Sequence, residues 1–99
     1  MSDKVKIVLE PAEIRAQLLL DGPALAAAIA IGKEMAEEAS RQSEDNTGSR
    51  HRYATRTEKR KDRMGVIVYP LSDNAKADNS DHDTLAKVRR RVVRRHKEG

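Results

Sequence analysis

The densest gathering of side chains able to do chemistry lies in residues 73–83, where Asp73, Asp78, Asp81, His82 and Asp83 bring four carboxylates and an imidazole together. A calcium loop needs oxygen ligands at alternate positions and a glycine for its sharp turn. This stretch has no glycine and a different spacing, so it reads as a mobile, solvated polar loop in which Asp81 or Asp83 caps a following helix. His51, His82 and His96 stand in loops or beside basic runs, without the acceptor pattern that orients a general base. Thr47-Gly48-Ser49-Arg50 lacks the glycine spacing and the lysine of a phosphate loop, and Ser49 has no nucleophile-elbow context. The chain has no cysteine, which excludes disulfides, thiolate zinc sites and cysteine nucleophiles. The sequence therefore assigns no catalytic, metal-binding or cofactor-binding residue and predicts a protein that is not an enzyme.

The strongest charge feature is the run Lys87-Val88-Arg89-Arg90-Arg91-Val92-Val93-Arg94-Arg95-His96-Lys97. Guanidinium groups bind phosphates and release counterions as they do so, which makes Arg89, Arg91 and Arg95 candidates for phosphate contact. A second basic stretch (Arg56, Lys59, Arg60, Lys61, Arg63) could extend that surface. The plainer reading is a surface helix docked by Leu85, Val88 and Val92, its arginines turned to water or to acidic neighbours. No Phe or Trp is present to stack on bases, and no motif that reads sequence occurs. Residues 1–49 carry five basic and nine acidic side chains, a net of −4, whereas residues 50–99 carry fifteen and seven, a net of +8. Such asymmetry fits either a polyanionic partner or head-to-tail contact between complementary faces of identical subunits.

The elements that must position these groups follow from periodicity. Val5, Ile7 and Leu9 alternate over residues 4–9 and predict a half-buried strand. Glu10-Pro11 opens a short helix over about 10–20 with Ile14 and Leu18 on one face, and Asp21-Gly22-Pro23 breaks it. The main helix, roughly 23–42, carries one apolar row of Leu25, Ile29, Gly32 and Ala36 and an adjacent row of Ala28, Ile31, Met35 and Ala39. Residues 43–50 read as a loop. Arg52 to Glu58 and Met64 to Tyr69 form a β-hairpin around Arg60-Lys61-Asp62-Arg63, its first strand polar enough for a sheet edge and its second rich in β-branched residues. After residues 71–83, a last helix near 84–96 shows Leu85, Val88 and Val92 as its stripe. The fold expected is a single small α+β unit: a long amphipathic helix on a short antiparallel sheet in residues 1–70, and a flexible loop with a basic C-terminal helix or arm in residues 71–99.

With 99 residues, 37% hydrophobic and only Tyr53 and Tyr69 as aromatics, the core is thin and points to completion by neighbours. The N-terminus shows no signal peptide, and the longest apolar stretch, Ala24 to Ile31, is too short to span a bilayer. A soluble protein made in a cytosol, with no membrane partner, is expected.

A short strand, an alanine-rich long helix, the loop Asp45-Asn46-Thr47-Gly48-Ser49 and a hairpin ending Val66-Ile67-Val68-Tyr69-Pro70 together resemble the small neck proteins of long-tailed bacteriophages, the head-to-tail connector and tail-completion proteins. The likeness covers about residues 4–70, with Thr47-Gly48 where many such proteins carry a Thr-Gly after the long helix; the arginine-rich last helix departs from the pattern. The resemblance implies a helix packed across a sheet, and a virion structural protein that forms a homo-oligomeric ring between portal and tail tube, assembled in the host cytoplasm, with no catalytic residue or cofactor. On that reading the acidic helix face (Glu34, Glu37, Glu38) and the C-terminal helix (Leu85, Val88, Arg90, Val92, Arg94) meet neighbouring copies or adjoining portal, neck and tail proteins, with nonspecific DNA contact in addition. The alternative is a small basic nucleic-acid-binding module that uses the C-terminal arginine run.

Overall fold

Val66, Ile67 and Val68 are β-branched, stiff at χ1 and suited to a pleated strand; they form the middle of a three-stranded antiparallel sheet. In the computed structural model, which describes residues 6–11, 24–60 and 63–98, the strands are β1 (Ile7–Leu9), β2 (Tyr53–Arg60) and β3 (Arg63–Pro70), in spatial order β1-β3-β2. Ile7 pairs with Val68 and Leu9 with Val66, while β2 runs the full length of β3 from Tyr53↔Pro70 to Arg60↔Arg63. The predicted hairpin and its polar edge strand are present, one to two residues longer than the periodicity indicated. Pro70 ends β3 beyond the last residue that β1 pairs. The part of β1 expected before Lys6, the short helix after Pro11, its break at Asp21-Gly22-Pro23 and the turn residues Lys61 and Asp62 lie outside the described residues.

Helix α1 (Ala24–Thr47) packs across the sheet. Its seam is the second predicted row: Ala28, Ile31, Met35 and Ala39 are all buried, whereas Leu25 and Ile29 of the first row are only partly covered. Gly32 marks the closest approach of helix to sheet, because a Cβ there would lie 2.9 Å from Val66 Cγ1 and 3.4 Å from Thr55 Cγ2.

The helix runs five residues further at its C-terminal end than expected. Residues 43–47 looked like a loop by composition, yet Ser43 is buried and donates to the Ser40 carbonyl at 2.6 Å, and Thr47 Oγ1 donates to the Ser43 carbonyl. Gly48 then ends it with a left-handed φ of 85° and an N–H that donates a hydrogen bond to the Glu44 carbonyl, the conformation a helix-terminating glycine adopts at least cost. The hydroxyls of Ser43 and Ser40 accept the His51 and Tyr53 amides and so fix how the chain enters β2.

Residues 71–83 are not a flexible loop. Asp73–His82 form helix α2, capped by Ser72, whose hydroxyl accepts the Ala75 amide at 3.1 Å. Helix α3 (Thr84–Glu98) follows directly. Asp83 links the two in a left-handed conformation with φ 52°. Neither Asp81 nor Asp83 caps α3 through its side chain: Asn79 Oδ1 accepts the Leu85 amide at 2.9 Å.

Leu85, Val88 and Val92 are wholly buried in the same core as Ile7, Leu9, Ile31, Met35, Val66 and Val68. Helices α2 and α3 are thus integral to the domain, not an arm attached to it. The radius of gyration, 13.1 Å, is that of one compact unit of this length. Among the described residues no helix is long and apolar enough to cross a membrane.

Candidate functional site

Two places bring functional groups together. The first is a polar knot where α1, β2, α2 and α3 meet. Asp78, 2% exposed, accepts hydrogen bonds from Tyr53 Oη (2.7 Å) and Thr84 Oγ1 (2.7 Å) at one oxygen and from Asn46 Nδ2 (3.0 Å) at the other. Burial works to raise its carboxyl, but the bonds from Tyr53, Asn46 and Thr84, with the nearby His82, outweigh burial and hold it below the usual carboxylate range. The Tyr53 phenol moves the other way, pushed up by burial first and then by its bond to Asp78.

A shallow cleft of about 270 Å³ opens beside this knot, lined by Thr47, Ser49, His51, Asp78, Asp81 and His82 among others. His51 Nε2 faces Thr47 Oγ1 at 3.0 Å. Among the described residues no three His, Asp or Glu side chains gather as a metal would require. With both oxygens of Asp78 engaged by structural donors, the knot's chemistry is that of a buried polar junction in which every member has a partner.

The second place is the charged seam between α1 and α3. These helices run antiparallel, which brings the acidic residues of one against the basic run of the other. Arg95 Nη1 bridges Glu38 (2.6 Å) and Glu34 (2.7 Å), Arg91 Nε lies 3.7 Å from Glu38, and His96 Nε2 lies 2.9 Å from Glu34. Hydrogen bonding to Glu38 and its charge, with Glu34 adding, hold the Arg95 guanidinium still more firmly protonated.

Several residues expected to face partners are therefore used within the chain. Glu34 and Glu38 meet Arg91 and Arg95 of the same molecule, where a neighbouring copy was expected. Glu37 pairs with Arg41 one turn on, at 3.7 Å. Leu85, Val88 and Val92 cannot serve as subunit anchors, because the chain's own core encloses them. Of the three arginines suggested for phosphate contact, Arg91 and Arg95 are engaged and Arg89 is exposed. Arg90 and Arg94 are also exposed, and with Lys87 they form a single row at i, i+3 and i+7 on the side of α3 facing away from Val88 and Val92.

The same antiparallel arrangement sorts charge between two ends of the molecule. Residues 41–52 and 72–83, gathered where α1 stops, hold six carboxylates and four cations. β2 and α3 run away from that end and β3 returns to it; these elements hold eleven Lys or Arg and two Glu, partly offset by Glu34 and Glu38 of α1 alongside α3. Glu44 and Asp45 lie exposed in the last turns of α1, a helix end whose dipole disfavours acids and which has no basic residue to compensate.

No protein-family model, curated protein or solved structure matches the chain. The functional reading rests on this geometry and on the sequence.

The reading of the sequence missed the polar knot. Tyr53, Asn46 and Thr84 come together only in the fold. Its local signal was Ser72-Asp73, a helix-capping residue followed by an acid in the first turn.

Proposed function

We propose that the protein is a non-catalytic structural subunit of a bacteriophage head-to-tail junction, in which copies close into a ring that joins the portal complex to the tail. The observation that carries this reading is the division of charge between two ends of one rigid domain. A surface that is acidic at one end and basic at the other complements a second copy placed head to tail, and a head-to-tail contact that closes makes a ring. The setting is supported by the likeness of residues 4–70 to small phage neck proteins, to which the long helix on an antiparallel hairpin sheet conforms. The protein acts by adhesion, through the Glu44-Asp45 end of one copy and the basic hairpin of the next, inside the virion and after assembly in the host cytoplasm.

Native mass spectrometry followed by negative-stain imaging tests this, on the protein alone and with portal and tail components. The expected result is a single closed stoichiometry that dissociates as salt rises, since the Debye length shrinks from about 10 Å at 0.1 M to about 3 Å at 1 M. Monomer under every condition, components included, would overturn it.

A further inference from the structure

Helix α3 carries seven Lys or Arg and one Glu. Its apolar stripe is consumed by the core, and Arg91, Arg95 and His96 are consumed by Glu34 and Glu38. What remains among the described side chains is Arg89, on a separate flank, and Lys87, Arg90 and Arg94, exposed in one row along the outer side of the helix, with no ion-pair partner among the described residues. We propose that this row is a sequence-nonspecific docking surface for the phosphate backbone of duplex DNA. The inference does not depend on ring assembly, because it rests on which cations of α3 the core and the ion pairs leave exposed.

Three features select the partner. Helical rise separates the three positions by about 4.5 and 6 Å along the axis, a spacing that long flexible side chains adapt to successive phosphates on one strand, whose charges recur about every 3.4 Å of axis. Like charges at i+3 and i+4 repel one another along the row, and α3 itself offers no acid between them, so an anionic polymer relieves a repulsion that the fold leaves in place. Binding in a bilayer interface instead needs an apolar face beside the cations. Here Leu85, Val88 and Val92 are fully buried, and Leu71, outside α3, is the exposed large hydrophobic residue among those described. With no Phe, Tyr or Trp in α3 to stack on bases and no Asn or Gln there to read adenine, the proposed contact is to the backbone.

The experiment is fluorescence anisotropy with a short labelled DNA duplex of mixed sequence, titrated with the full chain from about 50 to about 200 mM salt. Three variants are compared with the wild type, each checked for an unchanged thermal melt. Lys87→Gln with Arg90→Gln and Arg94→Gln removes the row; Arg41→Gln with Arg52→Gln and Lys76→Gln removes equal charge elsewhere; Arg90→Lys with Arg94→Lys keeps the charge. The row variant should bind at least about tenfold more weakly at low salt, and its log–log salt slope should be shallower by about 2.7, the contribution of three phosphates. The charge-matched control and the lysine variant should stay within about threefold of the wild type. Equal weakening by the row variant and its control, no DNA binding at low salt, or binding to anionic phospholipid vesicles in place of DNA would each overturn the proposal. So would loss of self-association in the row variant with DNA affinity retained, which would make the row a contact between copies.

Discussion

Asp78 accepts three side-chain hydrogen bonds while nearly hidden from solvent, and its partners come from α1, β2 and α3. Truncation strands those donors, so Asp78→Ala should cost about 2–4 kcal/mol, or roughly 10–30 °C in melting temperature for a chain of this size. The same carboxylate sets an acid limit. Its folded pKa lies below the unfolded value of about 3.9, so the unfolded chain takes up the proton more readily. The stabilisation is complete above that unfolded value and is lost as pH falls through the folded one. Urea unfolding across pH 2–7 should show the wild type losing stability at the acid end, and Asp78→Asn should flatten that loss. A second residue-scale test is Gly32→Ala. Helix propensity favours alanine by about 1 kcal/mol, but the new Cβ would meet Val66 Cγ1 at 2.9 Å in a packed core, where overpacking costs about 1–3 kcal/mol. Net destabilisation by about 1 kcal/mol is expected in chemical denaturation.

Among the elements, α3 shows best what sequence can and cannot disclose. Leu85, Val88 and Val92 repeat at helical spacing, so the helix and its buried face were legible. That the face belongs to the domain core was not, because the loop thought to free it proved to be α2. Helix α2 escaped notice because Asp73–His82 has almost no apolar periodicity; Ser72 and the distant Tyr53, Asn46 and Thr84 stabilise it. The long helix and the strand over Val66–Val68 were readable for the opposite reason, since their burial is written in local periodicity. The ion pairs were hidden as well: Arg95 and Glu34 stand 61 residues apart and meet only once α3 lies antiparallel on α1. From this follows a ranking. Val88→Ser with Val92→Ser should cost roughly 3–6 kcal/mol, enough to unfold a small domain. Arg90→Gln with Arg94→Gln should stay within about 0.5 kcal/mol, with a tendency to stabilise as like charges one turn apart are removed. Thermal melts of both double variants check the order.

At the scale of the whole molecule, the account turns on polarity. α1 ends among carboxylates, while β2–β3 and α3 carry cations toward the other end, on a domain held rigid by one shared core. A contact between unlike ends leaves the pair with one free end of each kind, and this separates it from a two-fold contact between like surfaces. The direct measurement is native mass spectrometry of two charge-reversed variants, apart and mixed. Glu44→Lys with Asp45→Lys disables the acidic end, and Arg56→Glu with Lys59→Glu disables the basic one. Each variant alone would place like charges in the contact and should remain monomeric. Mixed, the intact basic end of the first meets the intact acidic end of the second, and the two reversed ends are again opposite in sign, so the mixture should recover closed oligomers containing the two variants in equal number. Closed oligomers from either variant alone, or no co-assembly on mixing while the wild type assembles, would contradict the head-to-tail account.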